Sequence, residues 1–141
     1  MFRNVLLAVD LTEPSSWQHA LPAAMEICRS SAAKLYVCTV AAEVNVQVAS
    51  FFPPDANQKL VEQAAADLAR WIGEHVPAGV QVEEIVGQGT VHREILAAAR
   101  KVGADLIVMA SHKPGLADYL LSANAAHVVR HAPCSVMVVR G

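Results

Sequence analysis

The stretch from Asp105 to Arg140 constrains the fold more than any other part of the chain. It opens with an apolar run, Leu106-Ile107-Val108-Met109-Ala110, which stops abruptly at Ser111-His112-Lys113-Pro114-Gly115. A helical pattern follows, and then a second apolar run, Ser135-Val136-Met137-Val138-Val139. That order is strand, loop, helix, strand. Apolar runs with little alternation belong to strands buried on both faces, as in a parallel sheet clothed by helices. The loop leaves the carboxyl end of the first of these strands, the side on which open α/β sheets bind ligands. A small-molecule site is therefore expected there.

The rest of the chain also alternates strand and helix patterns, with no internal repeat or domain linker. Asn4 to Val9 is a short apolar run ending at Asp10 and reads as the first, central strand. Leu11 to Ser16 is a turn plus a helix start, with Pro14 in a first helical turn and Ser15 with Gln18 at capping-box spacing. Ala20, Leu21, Ala24, Met25, Ile27 and Cys28 recur at helical spacing, and Pro22 is expected to kink that helix. Lys34 to Val40 is a second strand, rich in Val, Tyr and Thr. Asp55 to His75 is an amphipathic helix with Leu60, Val61, Ala64, Leu68, Trp71 and Ile72 on one face. Val80 to Val86 alternates in part and suits an edge strand. Gly87-Gln88-Gly89-Thr90 is a turn with Thr90 as candidate N-cap, and the following helix stops at Gly103.

Strict alternation of five strands with four helices means parallel strands joined by right-handed crossovers. The 141 residues then form one domain, 1–141, with an open five-stranded parallel sheet and helices on both faces. Ala41 to Pro54 fits neither period. It reads as a long connection that either covers a pocket or a partner surface, or is simply tied down by Phe51 and Phe52.

Composition narrows the function. A chain that is 54% hydrophobic and 17% charged is not disordered. A formal net charge of -2 favours neither nucleic acid nor an anionic membrane as partner. No apolar run approaches the roughly 18 residues of a membrane span. Met1-Phe2-Arg3-Asn4 leads directly into a strand pattern, without a separate apolar segment and cleavage site. Cys28, Cys38 and Cys134 are odd in number and far apart, so buried free thiols in a reducing cytoplasm are expected.

Few motifs survive scrutiny. Asp10, at a strand end, has the chemistry of a metal ligand, a base or a turn cap. A phosphoacceptor reading fails because an acidic partner and a third-strand Asp are missing. Gly87 and Gly89 lack the third glycine of a dinucleotide loop. No Walker A sequence, nucleophile elbow or clustered metal spacing occurs. The six histidines are scattered; His127 and His131 lie one helical turn apart with no third ligand beside them in sequence, so surface or packing roles are expected. The informative constellation is Ser111-His112-Lys113 with Ser122-Ala123-Asn124. The second group opens the last helix, whose N-terminal N–H groups suit phosphate. Ser122 either caps that helix or binds a phosphate oxygen, and Lys113 would neutralise charge.

Those residues carry a family resemblance that extends over nearly the whole chain. Ala110-Ser111-His112-Lys113-Pro114, then Tyr119-Leu120-Leu121-Ser122-Ala123-Asn124-Ala125-Ala126, then Val128-Val129-Arg130-His131-Ala132 resemble the F/G branch of the universal stress proteins. The pattern of that branch runs roughly ASHRP…YLLGSNA…VVRHA. The resemblance implies an adenine nucleotide alpha hydrolase-like fold with strand order 3-2-1-4-5. It also implies a homodimer, or a larger homo-oligomer, in which the last strands of two subunits pair; Val136, Met137, Val138 and Val139 are the matching segment.

ATP-binding members of the family carry G-x2-G-x9-G-[ST] after the fourth strand. Here Ala110 stands for the first Gly and Lys113 for the second. Only residues 114–121 separate Lys113 from Ser122, one fewer than in that pattern. The F/G branch shares those departures and is taken to bind ATP, but it keeps Gly-Ser-Asn where this chain has Ser122-Ala123-Asn124. A Cβ at Ser122 crowds an approaching phosphate, and Ala123 lacks a hydroxyl. One lost hydrogen bond to a charged group costs about 1.5–3 kcal/mol, which Ser122 and Asn124 are placed to offset in part. By resemblance, Asp10 and Val40 flank the adenine end. Met109, Ala110 and His112 line the ribose side, and Lys113, Ser122, Ala123 and Asn124 the phosphates.

The expectation is a cytoplasmic, dimeric stress-response module that binds ATP or another adenine nucleotide, alone or with Mg²⁺, as a regulatory ligand. No general base accompanies a nucleophile in any motif, so no dedicated catalyst is expected. A different reading is a nucleotide-free dimeric module that recruits a protein partner through its surface and the Ala41–Pro54 segment. An enzymatic reading, an adenine-nucleotide hydrolase or transferase, rests on family analogy alone.

Overall fold

β1 (Asn4–Ala8) occupies the middle of a five-stranded parallel sheet ordered β3-β2-β1-β4-β5. The computed structural model describes residues 1–111 and 122–141. Around β1 lie β2 (Lys34–Ala41), β3 (Val82–Gln88), β4 (Leu106–Ala110) and β5 (Ser135–Val139). The helices are α1 (Ala20–Ser31), α2 (Ala56–His75), α3 (Val91–Val102) and α4 (Ala123–His131), with short 3-10 turns at Pro14–Ser16 and Ala49–Phe51.

The near-continuous apolar character of β1, β2 and β4 follows from cover on both faces. Val5, Leu7, Leu35, Val37, Leu106 and Val108 pack beneath α1 and α2, against Leu21, Ala24, Leu68 and Trp71. The alternate residues Leu6, Ala8, Tyr36, Cys38, Ile107 and Met109 pack beneath α3 and α4, against Ile95, Leu96, Ala99, Ala125 and Val128. The period of two thus sorts each strand between two cores. Asp105 straps the inner strands together: its carboxylate accepts the N–H groups of Arg3 and Asn4 at 2.9 and 3.1 Å.

Several local expectations need correction. The first helix begins at Ala20, with His19 at the N-cap and no side-chain cap, so Ser15 and Gln18 form no capping box. Pro14–Ser16 is a separate 3-10 turn. Pro22 is then the third helical residue, where its missing N–H costs nothing and no kink is called for. The third strand lies two residues later than its alternation suggested. Thr90 holds the N-cap position of α3 but makes no side-chain cap; instead the Glu94 carboxylate accepts the Gln88 N–H at 3.0 Å.

Phe51 and Phe52 do not anchor the 41–54 connection, being 83% and 48% exposed. Its root is held elsewhere: Gln88 Nε2 donates to the carbonyls of Ala42 and Asn57 at 3.0 and 3.1 Å, and Asn57 Oδ1 accepts the Val44 N–H at 2.7 Å. Among the described residues no helix is long and apolar enough to cross a membrane.

Both α1 and α3 end in the left-handed conformation, but with different residues. Gly103 takes it at φ 62°, as its sequence position suggested, whereas α1 uses Ala32 at φ 53°. A Cβ in that region costs about 1–2 kcal/mol, and glycine gives back about 0.5–1 kcal/mol in unfolded-state entropy. Ala32→Gly is therefore expected to stabilise the fold by about 0.5–1 kcal/mol. A urea midpoint that stays put or falls would show that the cap is unstrained.

Candidate functional site

The carboxyl ends of β1, β2 and β4 enclose a cavity of about 230 Å³. β1 and its extension contribute Ala8, Val9 and Asp10. β2 contributes Cys38, Thr39 and Val40, and β4 contributes Met109 and Ala110. Val91 and Ile95 of α3, Ser16, and Asn124 of α4 complete the wall. A second cavity of about 160 Å³ adjoins it, bordered by Glu13, Ser15 and Ser122. Asp10, Ser16, Ala110 and Asn124 are common to both. The location is dictated by topology. β1 is followed in space by β2 on one side and β4 on the other, and this reversal of strand order leaves a crevice above the carboxyl ends.

Of the residues expected at a site, Asp10, Val40, Met109, Ala110 and Asn124 meet at the first cavity and Ser122 at the second. Ala123 does not border either; it is exposed in the first turn of α4. His112 and Lys113 lie outside the described residues. Ala8, Val9, Ser16, Cys38, Thr39, Val91 and Ile95 went unread in the sequence. For the strand residues the signal was available, since they flank positions already placed at strand ends. For Ser16, Val91 and Ile95 there was none, because only the fold brings the 3-10 turn and α3 to this crevice.

The polar groups are held in place before any ligand arrives. Asp10 Oδ1 accepts from the N–H of Thr12 at 3.0 Å and from its hydroxyl at 2.8 Å, the turn-capping arrangement. Ser16 Oγ accepts the Asp10 N–H and donates to the Asp10 carbonyl, both at 2.9 Å. The backbone around Asp10 is thereby locked across the turn. Thr39 is buried at the cavity wall.

Ser122 is the N-cap of α4. Its hydroxyl oxygen accepts the Ala125 N–H at 3.1 Å, and its own N–H donates to the Ser111 carbonyl at 2.7 Å. The N–H groups of Ala123 and Asn124 have no acceptor within the helix, as at any helix start. This leaves a patch of positive potential at the start of α4, where Ser122 and Asn124 border the smaller cavity.

The cysteines are free thiols. Burial pushes Cys38 up to about 12, with a further push from the Glu94 carboxylate, and pushes Cys28 up to about 11. Cys134 is only partly buried, contrary to expectation, and is also raised, first by burial and then by Asp105. Cys38 therefore contributes an apolar, unreactive wall. Among the described residues no three acidic, thiol or imidazole side chains converge to hold a metal ion.

An open parallel sheet with a polar-rimmed cavity at its switch point is the architecture of a doubly wound α/β protein. The universal stress protein family matches residues 1–140, and the chain belongs to that family. Universal stress protein G of Shigella flexneri is 38% identical over 60 residues, covering 43% of this chain and 42% of that protein. The match therefore spans under half the length of that curated relative, and it accords with the F/G branch. Universal stress protein YxiE of Bacillus subtilis is 27% identical over 150 residues, covering 99% of this chain and 100% of that protein.

Among solved structures, universal stress protein UspA from Lactobacillus plantarum superposes with a TM-score of 0.72 at 21% identity, covering 98% and 97% of the two chains. A universal stress protein in complex with cAMP gives 0.65 at 19% identity, covering 98% and 97%. An Arabidopsis thaliana member with AMP bound gives 0.64 at 20% identity, covering 98% and 91%. At these identities the likeness speaks to the fold.

Proposed function

We propose that the protein is a cytoplasmic, dimeric stress-response module that takes ATP or another adenine nucleotide as a regulatory ligand in the paired cavities. One observation carries the reading. The larger cavity is mostly apolar with Thr39 and Asp10 on its wall, and it opens into a smaller one beside the α4 N-terminus. An apolar slot for a flat base, joined to a helix start for phosphate, is the division of labour a nucleotide needs. The cAMP and AMP complexes of related folds support the adenine assignment. Asp10 and Glu13 border the smaller cavity and offer oxygen donors of the kind Mg²⁺ accepts along with phosphates. Mg²⁺ would then enter with the nucleotide. Among the described residues no nucleophile is paired with a base in the cavities, so the ligand is read as a signal and not as a substrate.

The test is calorimetric titration with ATP and Mg²⁺, after checking for nucleotide carried through purification, alongside cAMP and AMP. The expected dissociation constant is of the order of micromolar, roughly -8 kcal/mol. Ala110→Phe, which puts a ring at the junction of the cavities, is expected to abolish the heat. No heat and no thermal shift at about millimolar ATP, a threshold of roughly -4 kcal/mol, would overturn the reading.

A second reading, a nucleotide-free module that recruits a protein partner, draws on two observations. Ser122 already uses its hydroxyl oxygen within the helix, and the 41–54 connection displays Val46 and Phe51, 87% and 83% exposed.

A further inference from the structure

Three histidines, one on α3 and two on α4, form a row across the boundary between the two helices. The rings of His92 and His127 stack with centroids 4.1 Å apart and planes 9° from parallel. His131, one turn further along α4, lies 6.1 Å from His127 with planes 22° apart. Parallel rings point their nitrogens side by side, not toward a common point, which suits stacking of neutral imidazoles and not metal ligation.

The row sits directly behind the cavity. His92 follows Val91 and precedes Ile95 by one turn, and both line the larger cavity. His127 follows Asn124, which borders both cavities, by one turn. Leu96 and Ala99 of α3 and Ala125 and Val128 of α4 belong to one buried core, so small and apolar side chains join the two helices. The spacing of α3 and α4 therefore sets the width of the wall that the ligand meets.

The charged surroundings make the row sensitive to protons. His92 stands at the second position of α3, where the helix dipole opposes a cation, and Arg93 is its neighbour. α4 adds Arg130 beside His131. Of the strands under α3, β2 presents Tyr36 and Cys38 on this face. Glu83 of β3 is paired with Lys34 at 3.1 Å, and the Glu94 carboxylate is engaged with the Gln88 N–H. β5, under α4, carries no titratable side chain. Burial lowers the His92 pKa, and the charges of His127, Arg93 and His131 lower it further.

We propose that the His92–His127–His131 row is a proton-sensitive latch that holds α3 and α4 at the spacing of the nucleotide cavity and releases them on acidification. The nucleotide part rests on the function proposed above; the helix part does not. The sign follows from linkage. The folded pKa of His92 lies below the ordinary value of about 6.5, so just below that pH the unfolded chain binds more protons than the folded one. The latch is intact above about pH 6.5 and is lost as pH falls through that value toward the lowered one.

The test is amide hydrogen exchange on the full chain at about pH 7.5 and about pH 5.5, either side of the ordinary imidazole range, corrected for intrinsic rates. It is run on the wild type, His127→Gln and His92→Gln; either variant suffices if the other fails to fold. The wild type is expected to lose protection at Ala125 to Val128 by roughly fivefold, the factor for one pair of like charges about 4 Å apart in water. The variants should show no such change. Equal protection at both pH values, or the same loss in both variants, would overturn the latch. Titration of ATP with Mg²⁺ at both pH values is expected to weaken by a similar factor in the wild type alone. PH-independent affinity beside a real loss of protection would overturn the coupling to the cavity. Absence of ATP binding even at the higher pH would instead count against the nucleotide reading, while exchange still decides the latch.

Discussion

Ser122→Gly together with Ala123→Ser is expected to tighten ATP by roughly 10- to 150-fold, the worth of one hydrogen bond to a charged group. Ser122 borders the smaller cavity while its hydroxyl oxygen caps α4. Glycine at that N-cap removes the Cβ at a cost of only a few tenths of a kcal/mol. A hydroxyl at position 123 then adds a donor in the first helical turn, next to N–H groups that have no intrahelical acceptor. Because Ala123 itself does not border the cavity, Ala123→Ser alone is expected to do less than the pair. The measurement is calorimetry on the double variant and both single ones. Unchanged affinity in all three would mean that the phosphates do not lie at the α4 start.

Met137→Asp is expected to turn a dimer into monomers. Among the described residues β5 pairs with β4 on one side only, which leaves its other edge open to a second chain. An apolar edge strand needs such cover. Met137 is 36% exposed, whereas Val136 and Val138 pack against the α3–α4 core and Val139 against the other core. A charge at Val138 would therefore damage the fold of one chain as well as any pairing, and Met137 is the cleaner position. Burying an unpaired carboxylate at an interface costs on the order of 3–5 kcal/mol, a loss of about 10²- to 10³-fold or more in association. Sedimentation decides the matter, with circular dichroism to show that the variant still folds. A variant that sediments as the same dimer as the wild type, or a wild type that is itself monomeric, would refute edge pairing through β5.

Much of the architecture was legible because its causes are local. The apolar runs of β1, β2 and β4 announce a doubly covered sheet, and Gly103 announces the end of α3. The family resemblance, rather than local logic, assigned Asp10, Val40, Met109 and Ala110 to a ligand site, and all four line the larger cavity. Local reasoning failed where several residues of the same type could do one job. Ser15 looked like a cap in sequence, but the helix starts at Ala20, beyond its reach. Phe51 and Phe52 looked like anchors, but Gln88 and Asn57 hold the connection through its backbone instead.

The sequence by itself determined the elements, their order and the edge of the sheet at which a ligand would sit. Periodicity and caps depend on neighbours within a few residues, and those are fixed along the chain. The tertiary structure alone decided which side chains meet. Ser16 locks Asp10, Asp105 straps Arg3 and Asn4, and His92 stacks on His127 only because the chain runs from β1 out to β3 on one side of the sheet and then crosses through α3 to β4 and β5 on the other. Such contacts join residues whose separation along the chain carries no periodic signal, so their geometry emerges only when the two cores close around the sheet.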